Sequence, residues 1–438
     1  MAIQSVKGTR DLYPELLAPI RRIFDVWRSV SIRHGFLEYE GPTLEMLELY
    51  REKSGDELVG QLFRLTDAGG RELALRPEMT PTLARMVAAR INALPKPIKW
   101  FSIPTLFRGE NVQRGRLREF YQWNIDVIGA AEPAADAECI LVGIEALREL
   151  GLTASDFCVH ISNRRLVSAM LEAVKIPKEV HGRAFALMDK ASSMPEADFA
   201  KVWDAAFSEQ LAADRLRAVM SVPDPVLLKS ELGPAVGGGE LEDAILQTAT
   251  VLSNLNDFGV GEYCRFDMHI VRGLAYYTGP VFEFYDRSQN ERAICGGGRY
   301  DDLLGKLGKS CEPAVGFGMG DVVLSLLLEE RGLSKPQRAE QVVFVADADP
   351  ACRAHVYHIV AAIRRCGIPA DFVYTHQPLH KQMKTADKRG ATTAIILGDE
   401  SGDGGATVQI KDMKKGTQRS VSMEALLQDP RRALEGAP

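Results

Sequence analysis

The sequence predicts an α+β domain built on an antiparallel sheet, carrying a helical insertion, followed by a small C-terminal α/β domain. Three observations point this way. Side-chain character alternates along Trp100, Ser102, Pro104 and Leu106, and again along Phe120, Gln122, Asn124 and Asp126, on either side of a polar loop. Period two on both arms reads as two antiparallel strands. Residues 177–262 are mostly helical in spacing, broken by GPAVGGGE at Gly233–Glu240. After the polar, Pro-containing stretch Leu333–Arg338 the pattern changes to strand-helix alternation. The expected boundaries are 1–332, with the insertion at about 177–262, and 339–430.

Composition narrows the class. A chain of 438 residues is long for one domain, and 46% hydrophobic content fills full cores. A net charge of −6 gives no global nucleic-acid signature, so any RNA contact must be a local patch. The seven cysteines are scattered without a C-x-x-C pair, which fits reduced thiols and neither a disulfide frame nor a zinc site. The N-terminus lacks a basic-then-apolar leader, and no run approaches the ~20 apolar residues of a membrane span. A soluble cytoplasmic protein without a membrane segment is expected.

Taken in order, Val6–Pro14 is a polar opening. Ile20, Ile23, Phe24, Trp27 and Val30 recur at helical spacing, with Gly35 as the stop. Phe36–Pro42 reads as a strand. Leu62–Thr66 and Glu72–Leu75 read as a hairpin around Asp67–Gly70. Arg76-Pro77 ends that strand, and Thr80-Pro81 starts a helix through about Ala93. Ala134–Gly151 is a helix, Phe157–Ile161 a strand, and helices run on through roughly Ala173. Strands return at Cys264–Val271. The glycine run in Cys295–Leu303 reads as a tight strand turn, Pro313–Gly320 as a strand and Asp321–Glu330 as a helix. In the last domain, strands at Val342–Ala346, Ala370–Tyr374, Thr393–Leu397 and Ala406–Ile410 alternate with helices at Pro350–Cys366 and near Leu379–Arg389, giving a mostly parallel core. The pairs His355/His358 and His376/His380 lack a carboxylate or Cys that would complete a metal set, so no metal site is expected.

The richest chemistry lies in Phe107–Gly129, FRGENVQRGRLREFYQWNIDVIG. Arg118, Phe120, Gln122 and Asp126 are expected on one strand face, with Arg108, Glu110 and Arg116 before them. Such a set is costly unless a ligand satisfies it. Guanidinium groups suit phosphate oxygens and a ring such as Phe120 can lie on a purine. A salt-bridged loop explains any single arginine; the set together points to a nucleotide site. Glu78 and Thr80 sit in the turn before a helix, where capping alone would explain the threonine.

This stretch resembles motif 2 of the class II aminoacyl-tRNA synthetases, in its histidyl-tRNA synthetase form. The KGTRD opening, the motif 1 helix with Pro42, RGLAYY at Arg272–Tyr277 and GGGRYD at Gly296–Asp301 extend the resemblance over nearly the whole chain. It implies a class II synthetase type catalytic domain and an anticodon-binding-like C-terminal domain, with basic segments at KQMKTADKRG and KDMKKGTQR. It also implies site roles. Arg108 and Arg272 would be catalytic, meeting the α-phosphate and the substrate carboxylate. Arg108, Glu110, Arg116 and Phe120 would bind ATP. Glu78, Met79, Thr80, Gln122, Asp126, Tyr276 and Tyr277 would bind L-histidine with Arg108 and Arg272. The partners implied are ATP with Mg2+, L-histidine, tRNA(His) and a second copy in a homodimer. Two positions depart from the pattern. Ala275 replaces an Asp. The motif 3 arginine is missing, since Gly320, Asp321, Val322 and Val323 occupy its stretch; Arg116 or a magnesium ion would have to hold that phosphate. A non-catalytic histidyl synthetase-like regulatory subunit that senses histidine is the alternative, favoured by those departures. The full FRGE, Arg272 and the C-terminal domain favour the ligase.

Overall fold

The computed structural model describes residues 3–51, 60–190, 194–209, 211–232, 239–271, 276–288, 292–307, 311–334, 342–398 and 407–435. The chain forms two compact units, Met1–Pro336 and Gln337–Pro438.

In the first unit, helix α1 spans Pro14–Arg33. Its start suits Pro14, since a first-turn proline lacks only an N–H that would have no helical partner. Its buried stripe is Ile20, Ile23, Phe24, Trp27 and Val30. The strand expected over 36–42 shrinks to β1, Leu37–Glu38, a parallel edge on β5. Gly41 and Pro42 follow, and proline has no N–H for a ladder. β2 (Leu44–Met46), β3 (Arg64–Thr66) and β4 (Glu72–Leu75) make a small antiparallel sheet in the order β2-β4-β3. Helix α2, Thr80–Arg90, follows it.

The main sheet holds β5 (Ile98–Ser102), β6 (Thr105–Phe107), β7 (Glu119–Ile128), β8 (Phe157–Asn163), β9 (Cys264–Phe266), β10 (Pro280–Asp286), β11 (Cys295–Arg299) and β12 (Ala314–Gly320). Its order is β1-β5-β7-β12-β11-β10-β8-β9, with β6 paired to β7. β1/β5 and β8/β9 are parallel and the other pairs antiparallel. Helix α3, Pro133–Glu149, packs with α1 behind the sheet, where Trp123, Ile125, Val127, Phe282 and Phe284 form the core. Two expectations are corrected. Only Cys264–Phe266 pairs as a strand, because Asp267 turns the chain by accepting from the His269 N–H at 3.0 Å. The glycine run is a central strand and no turn: a side-chain carbon on Gly297 would sit 2.4 Å from the Gly316 carbonyl oxygen. The insertion is helical, with α4 (Arg164–Ala173), α5 (His181–Lys190), α6 (Glu196–Phe207), α7 (Ala213–Met220) and α8 (Gly239–Asp257) around their own core.

One buried ion pair ties this unit together. Arg299, 2% exposed, donates Nη2 to Asp136 Oδ2 at 2.6 Å and Nε to Asp136 Oδ1 at 3.1 Å. Its Nη1 donates to the Ala130 carbonyl at 3.0 Å. Burial works against the Arg299 charge, but the Asp136 carboxylate outweighs it and raises the guanidinium pKa.

In the second unit, β13 (Val343–Asp347), β14 (Ala370–Asp371), β15 (Thr393–Leu397), β16 (Thr407–Asp412) and β17 (Gln418–Ser422) lie in the order β14-β13-β15-β16-β17. The expected mostly parallel core is a mixed sheet. β13 is parallel to β14 and β15, but β15/β16 and β16/β17 are antiparallel. The KDMKKGTQR stretch is the hairpin between β16 and β17, its turn held by Asp412 Oδ1 accepting from the Lys414 and Lys415 N–H groups at 2.9 Å each. Helices Arg353–Arg365 and Leu379–Lys388 belong to this unit, with short helices Met423–Gln428 and Pro430–Glu435 at its end.

Arg299→Met should cost about 3–5 kcal/mol, because Asp136 would stay buried without its counterion. All four tryptophans lie in the first unit, so urea unfolding followed by their fluorescence reads this unit alone. A loss below about 1 kcal/mol would show that the pair is not the tie described.

Candidate active site

A cavity of about 610 Å3 opens on the face of the main sheet opposite the core. β7 supplies its wall. Phe120, Gln122, Asn124 and Asp126 point into it, while Trp123, Ile125 and Val127 point into the core. Period two does this directly. β12 supplies the floor, with Gly316 opposite Asp126 and Gly318 opposite Asn124. A side-chain carbon on Gly316 would fall 2.3 Å from Asp126 Oδ1, and one on Gly318 would fall 2.7 Å from Gln122 Cδ.

One end of the cavity joins buried acids to phenols. Asp126, 3% exposed, accepts from the Tyr300 hydroxyl. Burial pushes the Asp126 carboxyl up to about 7, against the opposing effect of the Tyr300 hydrogen bond. Glu78 accepts from the Tyr276 hydroxyl at 3.2 Å, and the Tyr276 and Tyr277 rings lie 4.9 Å apart. Carboxylates and phenols so placed can accept and donate to a polar ring and meet an ammonium group.

The other end is cationic. The Arg108 guanidinium lies 5.3 Å over the Phe120 ring, and its Nε donates to the Pro77 carbonyl at 2.9 Å. Arg116 pairs with Glu110. An anion is the natural occupant of this end.

The structure thus brings Glu78, Thr80, Arg108, Glu110, Arg116, Phe120, Gln122, Asp126, Tyr276 and Tyr277 around one cavity. Met79 differs: it is fully buried and does not line the cavity. Capping does not explain Thr80, because α2 has no side-chain cap. Arg118 leaves the expected strand face. It precedes the first residue of β7, its Nε donates to the Glu110 carbonyl at 3.1 Å, and its backbone N–H meets the Gly8 carbonyl at 2.9 Å. Arg272 and Ala275 lie outside the described residues.

Several lining residues escaped sequence reasoning. Tyr300 sits inside GGGRYD, two residues beyond the last glycine. Asp189 and Lys190 reach the cavity from the end of α5, in an insertion where no catalytic pattern was legible. Helical periodicity tells which side chains pack, and gives no signal for what a helix end visits. Arg292 and Glu283 also line it. At the motif 3 position the strand-then-helix reading is observed, with β12 followed by helix α9, Asp321–Glu330. Asp321 turns inward to accept from Arg10 at 2.7 Å and from the Tyr121 N–H at 2.9 Å, while Val322 and Val323 line the cavity.

The fold is an antiparallel sheet whose open face holds a cavity with an arginine end and an acid-phenol end. The family model described as histidyl-tRNA synthetase matches residues 8–321, and one described as an anticodon binding domain matches residues 341–429. The chain is 40% identical to a histidine-tRNA ligase of Opitutus terrae over 96% of each chain. It is 36% identical to a chloroplastic/mitochondrial histidine-tRNA ligase of Arabidopsis thaliana, covering 96% of this chain and 85% of that one. The solved histidyl-tRNA synthetase from Nostoc superposes with a TM-score of 0.83 at 23% identity, over 99% of this chain and 100% of that one. An ATP phosphoribosyltransferase regulatory subunit/histidyl-tRNA synthetase from Bacillus halodurans superposes with a TM-score of 0.73 at 24% identity, over 88% of this chain and 97% of that one. The last two share the fold. This chain belongs to the histidyl-tRNA synthetase family.

Asp126 gives a pH-dependent test. Its carboxyl titrates at about 7 in the folded chain against 3.8 as the reference value. A group raised on folding stabilises below its unfolded pKa and loses that contribution as pH rises through the folded one. Asp126→Asn does not ionise. It should therefore melt above the wild type at pH 8, with the gap narrowing toward pH 5. A gap independent of pH would mean that Asp126 titrates as an ordinary surface carboxyl.

Proposed function

We infer that this chain is an ATP-dependent histidine-tRNA ligase. The observation that carries the reading is one cavity with both halves of the chemistry: a buried acid-phenol end suited to an imidazole and an ammonium group, and an arginine end suited to a nucleotide. The histidine carboxylate attacks the α-phosphorus of ATP, the bond to the departing pyrophosphate breaks, and histidyl-adenylate forms. The terminal ribose hydroxyl of tRNA(His) then attacks the carbonyl and releases AMP. Asp126 and Gln122 orient the imidazole and Glu78 with Thr80 the ammonium. Phe120 stacks on the adenine, which Glu110 approaches. Arg108 and Arg272 offset the charge gathering at phosphorus, so the chemistry is positioning and electrostatics without a general base.

Magnesium enters as part of the substrate, bound to ATP. Among the described residues no three His, Cys, Asp or Glu side chains cluster to hold a metal, so no step is assigned to a protein-held ion. A homodimer is part of the proposal: Leu16, Ile32, Leu37 and Met46 are exposed apolar side chains on and after α1. So is a cytoplasmic location. Among the described residues, no helix is long and apolar enough to cross a membrane. The non-catalytic regulatory reading gains no better support from the relatives.

Purified protein should exchange labelled pyrophosphate into ATP only when L-histidine is present. Arg272→His should lower that rate by about 10²–10³, the usual loss for one preorganised donor, with histidine affinity changed far less. Absence of exchange by the wild type at saturating substrates would favour the regulatory reading.

The second unit is proposed to take the anticodon side of the tRNA. Tyr374 is 82% exposed beside Phe372, whose ring lies 5.4 Å away, and the Arg353 guanidinium lies 5.5 Å over Phe372. Exposed rings backed by a guanidinium suit unstacked bases. Tyr374→Ala should lower kcat/KM for tRNA by about 10-fold, the effect of one lost base stack, while leaving pyrophosphate exchange intact. Equal loss in both assays would argue against a separate RNA-binding role.

A further inference from the structure

The motif 3 stretch places two valines where a cation would face the polyphosphate, yet Val322 and Val323 line the cavity. The sheet beside them supplies one. β11 and β12 are antiparallel, with Cys295 opposite Met319 and Gly296 opposite Gly318. The last bond of this ladder runs from the Gly320 N–H to the Ile294 carbonyl at 3.4 Å. Arg292 lies two residues before Ile294, and Val322 and Val323 lie two and three residues after Gly320 at the start of α9, so both segments leave the sheet from the same end of the ladder. Arg292, Val322 and Val323 all line the cavity.

The other lining arginines are committed. Arg108 is anchored on Pro77 and Phe120, and Arg116 is paired with Glu110. Arg292 is exposed and has no ion-pair partner among the described residues. An unpaired guanidinium at the rim of a cavity whose ligand is strongly anionic points to that ligand, since it can bind two phosphate oxygens at once. The loop carrying Arg116 reaches the same helix, where Arg114 pairs with Glu330 at 2.6 Å.

We propose that Arg292 is the cation for the terminal phosphates of ATP, moved across the β11/β12 ladder from the helix position that Val323 occupies. The inference rests on the ligase reading. Arg292 holds the pyrophosphate portion as the bond to the α-phosphorus breaks, and it spreads the charge that passes to this leaving group.

Histidine-dependent pyrophosphate exchange by the full chain is the test. Arg292→Ala should raise the KM for ATP and lower kcat/KM for ATP by about 10- to 100-fold, within the range for one lost charged phosphate contact. The histidine KM should stay within about twofold, and the KM for pyrophosphate in the exchange should rise. Arg292→Lys should lose less than the alanine. In the Arg292→Ala background, Val323→Arg should recover part of the loss, which a structural role for Arg292 would not allow. An active wild type with ATP kinetics unchanged in Arg292→Ala overturns this assignment and leaves the ligase reading standing. A wild type without exchange overturns both.

Discussion

The site depends on strands that carry no side chain where they pass beneath it. β11 and β12 meet as a ladder of glycines, with Gly296 opposite Gly318 and Gly298 opposite Gly316. A side-chain carbon on Gly298 would lie 2.9 Å from Tyr277 Cδ1, and one on Gly318 the same distance from Gln122 Nε2. The glycines therefore set the depth at which Gln122, Asp126 and Tyr277 lie. Chains of alanine there would lift every one of these groups into the space a ligand needs. Glycine weakens a strand through backbone entropy, and the sheet offsets this by burying both faces of its neighbours, Phe282 and Phe317 beneath and the tyrosines above.

Behind this floor stands the Asp136–Arg299 pair. Arg299 is the residue that ends the glycine strand, so its guanidinium fixes where the floor stops. It reaches the Ala130 and Glu132 carbonyls, so the turn after β7 and the start of α3 are held by the same group. Its neighbour Asp301 accepts from the Ala314 N–H at 3.1 Å and aligns the start of β12. Tyr300 lies between these two residues and turns to the other face, where it donates to Asp126. The ion pair and the acid-phenol pair are thus successive residues of one strand end: packing on one side dictates geometry on the other.

Much of this was legible. Alternation across Phe120, Gln122, Asn124 and Asp126 gave the inward face because one side of β7 is buried and a one-residue slip would exchange the faces. The α1 stripe and the strand-helix change after Leu333 were legible for the same reason: periodicity records burial. Periodicity fails where burial is uniform or where a tertiary partner decides. Gly296, Gly297 and Gly298 carry no pattern, so a central strand read as a turn. Asp136 looks like an ordinary first-turn acid of a helix, and only its distant partner Arg299 makes it structural. Arg118 satisfied the alternation but falls before β7, where the Gly8 carbonyl captures its backbone. Asp189 and Lys190 meet the cavity only because α5 ends there.

The missing arginine at position 323 illustrates why a motif read along the chain can mislead about chemistry. A phosphate responds to the potential at a place, and that place is reached from two chain segments joined by an antiparallel ladder. Where that ladder ends, the segment before β11 and the start of α9 leave the sheet together, so a charge lost from one is replaceable from the other. Val322 and Val323 extend the apolar surface of α9, where Leu324, Leu327 and Leu328 are already buried, while Asp321 turns away to hold Arg10 and the Tyr121 N–H. The helix start is a packing element that braces β7, and Arg292, in the segment before β11, also lines the cavity. On this physical ground one missing residue along the chain does not strip the cavity of cationic groups: Arg108, Arg116 and Arg292 all line it from other segments.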